Sequence, residues 1–312
     1  MAVKTIILAL LVCVGALPAE SLRILPPPSG KLYHGFYWGG IGTDRHDPTE
    51  HDVTPADVAS YEQAVGKKAA WIYFSNNWFE SRKFPVAMCT WIRDLGKIPY
   101  VRLMLRSDVD QRHGEKTFSL QKIIAGEFDV DLRMWARDAK AFGSPILIEW
   151  GTEPNGNWFS WNGKWNALEN YFPGENYCDW VALSAYGPLT PRTHEGFEPF
   201  RFKVDETYPR LIKLVPGKPI IVAEFGCDLH NRHVEATRWA KSALDNLFSN
   251  RWPAIVGFCW WNEGWQNDDA KKHDTDMTIL HDADLTRVFR EEFARHADKI
   301  QETPVIQMTK SE

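Results

Sequence analysis

The sequence predicts an α/β protein of the (β/α)8 TIM-barrel type that lacks one βα unit between residues 162 and 178. Short runs rich in β-branched and aromatic residues alternate with longer helical stretches, which is the pattern of βαβ units in a parallel sheet. Some runs, such as residues 219–223, are apolar throughout, as expected of strands covered on both faces. No dinucleotide-binding fingerprint follows the first strand, so a closed barrel is favoured over an open Rossmann sheet.

The composition is that of a globular protein in which aromatic side chains are unusually frequent. The 312 residues are 44% hydrophobic and 25% charged, which excludes disorder and collagen-like structure. The net charge of −5 gives no indication of nucleic-acid binding. The chain nevertheless contains 15 Trp, 17 Phe and 9 Tyr residues, which is a large amount of flat aromatic surface for one domain.

The first 19 residues are typical of a secretory signal peptide. Lys4 precedes an apolar run over residues 6–17, and small residues follow it. The run is shorter than the roughly 20 residues of a membrane span, although a signal anchor is the alternative. We therefore expect a secreted or periplasmic protein without membrane contact after cleavage. Its mature part divides into a Pro-rich leader at 20–30, a barrel domain at 31–297 and a loose polar tail at 298–312.

The first half of the barrel is expected to contain four strands. Residues 32–38 form an aromatic run that ends in glycines, so they predict the first strand. Thr54 and Pro55 then provide the N-cap and the first position of a helix. Apolar β-rich runs predict three further strands, and helical patterns lie before the second and third of these; the strands are 70–75, 100–105 and 146–150, and the helices are 85–95 and 132–141.

The second half has only three readable strands, so the total is seven where a (β/α)8 barrel needs eight. The strands are 180–186, 220–225 and 255–261, and the helices are 205–214, 235–247 and 285–297. No run between Trp150 and Trp180 can form a packed helix, because proline and glycine interrupt it repeatedly. A parallel crossover usually needs a dozen or more residues, commonly a helix. This connection is therefore abnormal.

No metal or cofactor site stands out in the sequence. The cysteines of the mature chain, Cys89, Cys178, Cys227 and Cys259, lack C-x-x-C spacing, and free thiols are favoured over disulfides. The acidic residues between 268 and 276 are better explained as a solvated loop than as a calcium site. We expect neither a cofactor nor a metal.

The candidate chemistry lies at three predicted strand ends, because catalytic groups of α/β barrels follow the carboxyl ends of the strands. Glu153 and Glu224 are carboxylates at two of these ends, and tryptophans surround both positions. Paired carboxylates are the requirement of glycoside hydrolysis, and indole faces stack on sugar rings. A solvated or ion-paired glutamate is the simpler explanation for either residue taken alone. Trp260 and Trp261 point to opposite sides of one strand, so one of them is expected in the barrel wall.

The segment 153–161, Glu-Pro-Asn-Gly-Asn-Trp-Phe-Ser-Trp, resembles the Glu-x-Asn-Gly-x-Trp-Phe-x-Trp motif of glycoside hydrolase family 26, the β-mannanase family. Residues 218–226 and 257–263 follow in the family's order, and the resemblance covers roughly residues 31–295. It implies a retaining (β/α)8 glycosidase without a catalytic metal, in which Glu153 is the acid/base and Glu224 the nucleophile. It also implies that Tyr186 hydrogen-bonds the nucleophile.

The resemblance supplies the candidate substrate-binding residues as well. They are Asn155, Trp158, Trp161, Tyr186, Trp260 and Trp261. The expected partner is a polysaccharide or oligosaccharide, most simply a β-1,4-mannan or glucomannan, and the expected assembly is a monomer. The sequence leaves open which β-glycan is cleaved, and whether the action is endo or exo.

Two departures from the family pattern keep alternatives open. Thr152 stands where the mannanases usually carry histidine, which leaves a β-glucan hydrolase of the same fold as one alternative. Only 71 residues separate Glu153 from Glu224. Three βα units of about 31 residues each would need about 93. The fourth helix and fifth strand of the barrel are therefore expected to be missing, and a non-catalytic carbohydrate-binding protein is the second alternative.

Overall fold

The computed structural model describes residues 20–39, 53–108, 115–153, 172–268 and 270–310. The predicted signal peptide lies outside these residues. Within the described part of the chain, no helix combines the length and the apolar character needed to cross a membrane.

A parallel sheet of seven strands forms the centre of the fold. The strands are β2 (Tyr33–Tyr37), β3 (Trp71–Asn77), β4 (Ile98–Met104), β5 (Leu147–Trp150), β6 (Val181–Ser184), β7 (Ile220–Phe225) and β8 (Ile255–Trp261). Their order across the sheet is β5-β4-β3-β2-β8-β7-β6. β2 and β8 are the first and last strands of this sheet in chain order, and they pair with each other as the first and last strands of a closed barrel do. Among the described residues, β5 and β6 do not pair. The fold is therefore an incomplete (β/α)8 barrel, as predicted.

Helices connect the strands close to the predicted positions. They are α1 (Pro55–Val65), α2 (Val86–Asp94), α3 (Leu120–Ile124), α4 (Asp129–Ala141), α5 (Phe200–Leu214), α6 (Ala236–Phe248) and α7 (Ala283–Arg295). Thr54 caps α1 in a reciprocal capping box with Asp57, which confirms the predicted start of that helix. Helix α5 begins five residues earlier than predicted because Phe200 is fully buried against Phe225 and anchors an additional first turn.

Trp71 fills the amino-terminal end of the barrel interior. Its indole Nε1 donates a hydrogen bond of 2.7 Å to the Cys259 Sγ, and its side chain is 1% exposed. A Cβ atom on Gly35 in β2 or on Gly257 in β8 would overlap the Trp71 ring. The two glycines are thus required by one large interior side chain. All four cysteines among the described residues are free, as expected.

The sheet edges β5 and β6 are short and partly uncovered. Each has four residues, and the outward-facing side chains of Ile148 and Trp150 in β5 are 47% and 55% exposed. These are the strands between which the sequence lacks a βα unit. In a complete barrel, the missing helix and strand would cover and pair them.

The predicted loose tail is wrong, because the two ends of the described chain pair with each other. Strand β1 (Glu20–Ile24) forms an antiparallel ladder with β11 (Ile306–Lys310), so part of the predicted Pro-rich leader is also a strand. The Tyr33 hydroxyl extends the link: it donates to the Leu25 carbonyl at 3.0 Å and accepts from the Val305 amide at 2.9 Å. Local sequence patterns could not indicate this pairing, since the partners are far apart in the chain.

Replacing Tyr33 by Phe should destabilise the protein by about 1–3 kcal/mol, because the Leu25 carbonyl and the Val305 amide lose their shared partner. Urea unfolding would measure the change. Tyr61→Phe is the matched control, because Tyr61 is similarly buried, at 1% exposed, and stacks on Phe36. Equal losses in the two variants would contradict the role assigned to the Tyr33 hydroxyl.

Candidate active site

Polar side chains occupy the interior of the barrel towards the carboxyl ends of its strands. Alternate residues of a strand point to the same face of the sheet. The polar residues of this group all lie on strand faces that point into the barrel. They are Tyr73 in β3, Tyr100 and Arg102 in β4, Glu149 in β5 and Glu224 in β7. Carboxyl ends of strands carry the active sites of this class of fold.

Glu224 lies at the centre of this group and is 2% exposed. One carboxylate oxygen, Oε2, accepts a hydrogen bond of 2.9 Å from the hydroxyl of Tyr186. The other oxygen, Oε1, lies 3.4 Å from Nη2 of Arg102 and 3.3 Å from the hydroxyl of Tyr73. The carboxylate is thus held by three side chains from three different parts of the barrel. The contact expected between Tyr186 and Glu224 is present.

Burial raises the pKa of Glu224 to about 8. Arg102 opposes this effect, the negative charges of Glu153 and Glu149 add to it, and the hydrogen bond from Tyr186 again lowers the pKa. Desolvation and the charge of Glu224 also raise the pKa of Tyr186, which therefore stays protonated and continues to donate. The site holds a proton at a pH where an exposed glutamate has lost its own.

Glu153 follows β5 and is half-buried. Its φ of 47° lies in the left-handed region, which for a residue other than glycine costs on the order of 1–3 kcal/mol. Its charge raises the pKa of both Glu224 and Tyr186. The two glutamates singled out in the sequence therefore belong to one electrostatic site.

A third carboxylate, Glu149, lies in the same site and was not foreseen from the sequence. Its Oε2 accepts hydrogen bonds from the hydroxyls of Tyr73 at 2.7 Å and Tyr100 at 2.8 Å. Its Oε1 accepts from the Thr152 hydroxyl at 2.5 Å, and Thr152 in turn accepts from Nε of Arg102 at 3.3 Å. Thr152, which departs from the family pattern, is thus a buried link between Glu149 and Arg102.

The signal for the missed residues was present in the sequence. Tyr100 and Arg102 are two positions apart in an otherwise apolar run, and Tyr73 and Ser75 have the same spacing in the strand before it. Polar residues at a period of two inside an apolar strand indicate an interior polar face. These groups lie within the strands, upstream of the strand ends that carry Glu153 and Glu224.

The two tryptophans of β8 lie on opposite faces of the strand. Trp260 is fully buried in the core, where its indole Nε1 donates to the Met277 carbonyl at 2.7 Å, so its side chain has no surface for a sugar. Trp261 faces the interior and is 6% exposed. Tyr37 stacks on its ring at 3.7 Å, and the guanidinium carbon of Arg102 lies 5.1 Å from the ring centroid. Trp261 therefore supports Arg102 and offers little surface to a sugar.

Three other predicted substrate-binding residues, Asn155, Trp158 and Trp161, lie outside the described residues. Their roles remain predictions. A group of potential metal ligands on the outside of the barrel, Asp245, Glu292 and His296, is already neutralised by cations: Lys241 Nζ lies 2.8 Å from Asp245, and Arg295 Nη2 lies 3.0 Å from Glu292. We interpret this group as an ion-pair network between α6 and α7.

The fold is shared with solved structures that include mannanases. The chain matches GH26C from Muricauda sp. MAR_2010_75 with a TM-score of 0.55 at 14% identity, and the match covers 87% of each chain. The Cellulomonas fimi endo-β-1,4-mannanase double mutant matches with a TM-score of 0.54 at 15% identity, over 88% of this chain and 72% of that one.

A third structure, the Podospora anserina GH26-CBM35 β-(1,4)-mannanase, matches 88% of this chain at 15% identity with a TM-score of 0.49, and the match spans 63% of its own length. At these identities, the matches to GH26C and to the Cellulomonas fimi enzyme show a common fold. No protein-family model and no curated protein sequence matches the chain.

Glu224→Gln should be increasingly stable relative to the parent protein as the pH rises. A group whose pKa is raised by folding contributes stability below its unfolded value, near 4.5, and loses it as the pH rises through its folded value, about 8. The amide has no proton to lose, so at pH 8 we expect the variant to be more stable than the parent by on the order of 1–3 kcal/mol.

Urea unfolding at several pH values would measure this difference. Glu206→Gln, at an exposed position of α5, is the control and should show no such trend. A stability difference that does not change between pH 4.5 and pH 8 would contradict the raised pKa of Glu224.

Proposed function

We propose that the protein is a retaining glycoside hydrolase that cleaves a β-linked polysaccharide, with β-1,4-mannan or glucomannan as the preferred substrate. The observation that carries this proposal is the environment of Glu224. It is a buried carboxylate at the carboxyl end of β7, held by Tyr186 and Arg102, with the charge of Glu153 close by. Two carboxylates in one site are the requirement of this reaction.

In the first step, Glu153 protonates the glycosidic oxygen while Glu224 attacks the anomeric carbon. The bond between that carbon and the leaving oxygen breaks, and an ester bond forms between the sugar and a carboxylate oxygen of Glu224. The proton of Glu153 leaves with the departing sugar. Glu153 must therefore be protonated and Glu224 ionised when the substrate is bound.

In the second step, Glu153 has become a carboxylate and acts as a base. It takes a proton from a water molecule, whose oxygen attacks the anomeric carbon and displaces Glu224. The ester bond breaks, the sugar leaves with the configuration it had at the start, and both glutamates regain their first protonation states.

The neighbours of Glu224 supply what a carboxylate nucleophile needs. Arg102 and the Tyr186 hydroxyl favour its ionised form and restrict its rotation. The pKa of Glu224, about 8, predicts low activity in acid and a rise as the pH passes through about 8, because only the ionised carboxylate can attack.

The choice of mannan within this reaction class rests on the motif at residues 153–161 and on the mannanases among the structures with the same fold. Both support membership of glycoside hydrolase family 26, and the proposed signal peptide supports secretion. Thr152 replaces a histidine that the family usually carries, which keeps β-glucan as an alternative substrate.

A second candidate function, carbohydrate binding without catalysis, is favoured by one observation. Glu153 follows β5, an edge strand with no pairing to β6 among the described residues, and its backbone is in a strained conformation. A shift of about 1 Å between the two glutamates would cost catalysis on the order of 100-fold. The barrel could then still hold a glycan.

Reducing-sugar release from galactomannan, glucomannan and mixed-linkage β-glucan would test the proposal. We expect release from a mannan, and Glu224→Ala should remove it while leaving affinity for the polysaccharide largely unchanged, because the nucleophile acts on one bond of a long ligand. Affinity electrophoresis would measure that binding. Glu206→Ala, on the outside of α5, is the control and should keep full activity.

If the wild-type protein is retarded in the gel but cleaves none of the three glycans, binding without catalysis replaces hydrolysis as the function. Activity that survives in the Glu224→Ala variant would contradict the assignment of the nucleophile.

Glu153→Ala should affect substrates according to their leaving groups. An aryl glycoside with an acidic phenol leaves without protonation, so its first step should stay fast, whereas polysaccharide cleavage should fall by roughly 100- to 10,000-fold. A burst of phenol followed by slow turnover would show the defect in the second step. An equal loss on both substrates would contradict the acid/base role of Glu153.

A further inference from the structure

We propose that Glu149 is a positioning residue that sets, through the hydroxyl of Tyr73, how strongly Glu224 holds its proton. The catalytic consequence of this control rests on the proposed glycosidase function. The control itself is a property of the folded chain and exists whether or not the protein cleaves a glycan.

The hydroxyl of Tyr73 lies between two carboxylates. It is 2.7 Å from Oε2 of Glu149 and 3.3 Å from Oε1 of Glu224. A phenol has one proton to donate. The shorter distance assigns that proton to Glu149, so Glu224 receives a weak interaction from a donor that would otherwise favour its ionised form.

Glu149 is fixed in this competition by its own partners. The Tyr100 hydroxyl donates to the same oxygen, and the Thr152 hydroxyl donates to the other. Tyr73 and Tyr100 are stacked with ring centroids 4.1 Å apart, which holds both hydroxyls in place. Three hydroxyl donors thus fix the Glu149 carboxylate, which faces Glu224 across a single hydroxyl group.

The charges around Glu149 and Glu224 are unevenly balanced. Among the described residues, Arg102 is the cation that reaches Glu224, whereas Glu149 and Glu153 both act on Glu224 as negative charges. The other titratable groups that face the pair are neutral in their protonated forms: Tyr37 in β2, Tyr73 in β3, Tyr100 in β4, Tyr186 after β6 and Cys259 in β8. Removing the charge of Glu149 therefore shifts the balance towards ionised Glu224.

Glu149 differs in kind from the two proposed catalytic glutamates. Both oxygens of its carboxylate accept hydrogen bonds from protein hydroxyls, those of Tyr73, Tyr100 and Thr152. It acts on the reaction only through Glu224. Its effect should consequently be seen in the pH dependence of activity rather than in the affinity for the glycan.

Two variants with opposite expected effects test the proposal. Glu149→Gln keeps the shape and removes the charge, so the acid limb of the kcat/KM profile should move to lower pH by at least about one unit. Tyr73→Phe removes a donor and keeps the charge of Glu149, so the same limb should move to higher pH. Glu206→Gln is the matched control and should leave the profile unchanged.

A measurement without substrate gives the same information. The stabilisation produced by Glu224→Gln at pH 8 would be compared in the wild-type and Glu149→Gln backgrounds. If Glu149 raises the pKa of Glu224 by one unit, the effect on the unfolding equilibrium at pH 8 should be about fivefold smaller in the second background, and the ratio should approach about tenfold at higher pH.

The outcomes separate this inference from the proposed function. The inference would be overturned if Glu149→Gln changed neither the acid limb of the kcat/KM profile nor the stabilisation produced by Glu224→Gln at pH 8. This holds even if the protein has full glycosidase activity. Opposite shifts in the two variants support it, since a side chain that only packs would lower kcat without moving the limb. A protein that cleaves no glycan but shows the smaller stabilisation would contradict the proposed function and support the role of Glu149.

Discussion

A buried arginine is the constraint on which the rest of the site depends. Arg102 is 5% exposed, and a charge in that position is costly unless it is paired and hydrogen-bonded. Desolvation works against its charge, while Glu224 and the surrounding tyrosines raise its pKa above the usual value. Its guanidinium reaches Glu224, Thr152 and the ring of Trp261, which are parts of β7, the segment after β5, and β8. The positions of these groups follow from the need to satisfy one cation.

The sequence predicted well what depends on local pattern. The strands have continuous apolar runs, α1 carries a complete capping signal, and Glu224 and Tyr186 follow strands that were easily recognised. It predicted poorly what depends on distant partners. The ladder between β1 and β11 joins segments about 280 residues apart, and Glu149 became part of the site only because β4 and β5 place it beside Arg102 in register. Trp260 was an ambiguous candidate because adjacent strand positions differ only in the face they occupy.

The strands that carry the site are not equally supported by their neighbours in the sheet. Glu224, Arg102 and Tyr73 stand on strands that are paired on both sides, whereas Glu149 lies in β5, an edge strand among the described residues, and Glu153 follows it. Ladder pairing on both sides restricts a strand more than pairing on one. Glu224, the proposed nucleophile, is therefore held more firmly by the sheet than Glu153, the proposed acid/base. The hydroxyl contacts of Glu149 tie the edge strand back to the centre of the barrel.

The pairing of β1 with β11 places Glu20 directly opposite Lys310. Residues opposite each other in an antiparallel ladder have Cα atoms about 5 Å apart, a gap that a few glycines can bridge. The polypeptide could thus be circularised through this ladder and reopened between β5 and β6, where the sheet has no ladder to break among the described residues. The order of the strands in space would stay the same, while the order in which a ribosome delivers them would change.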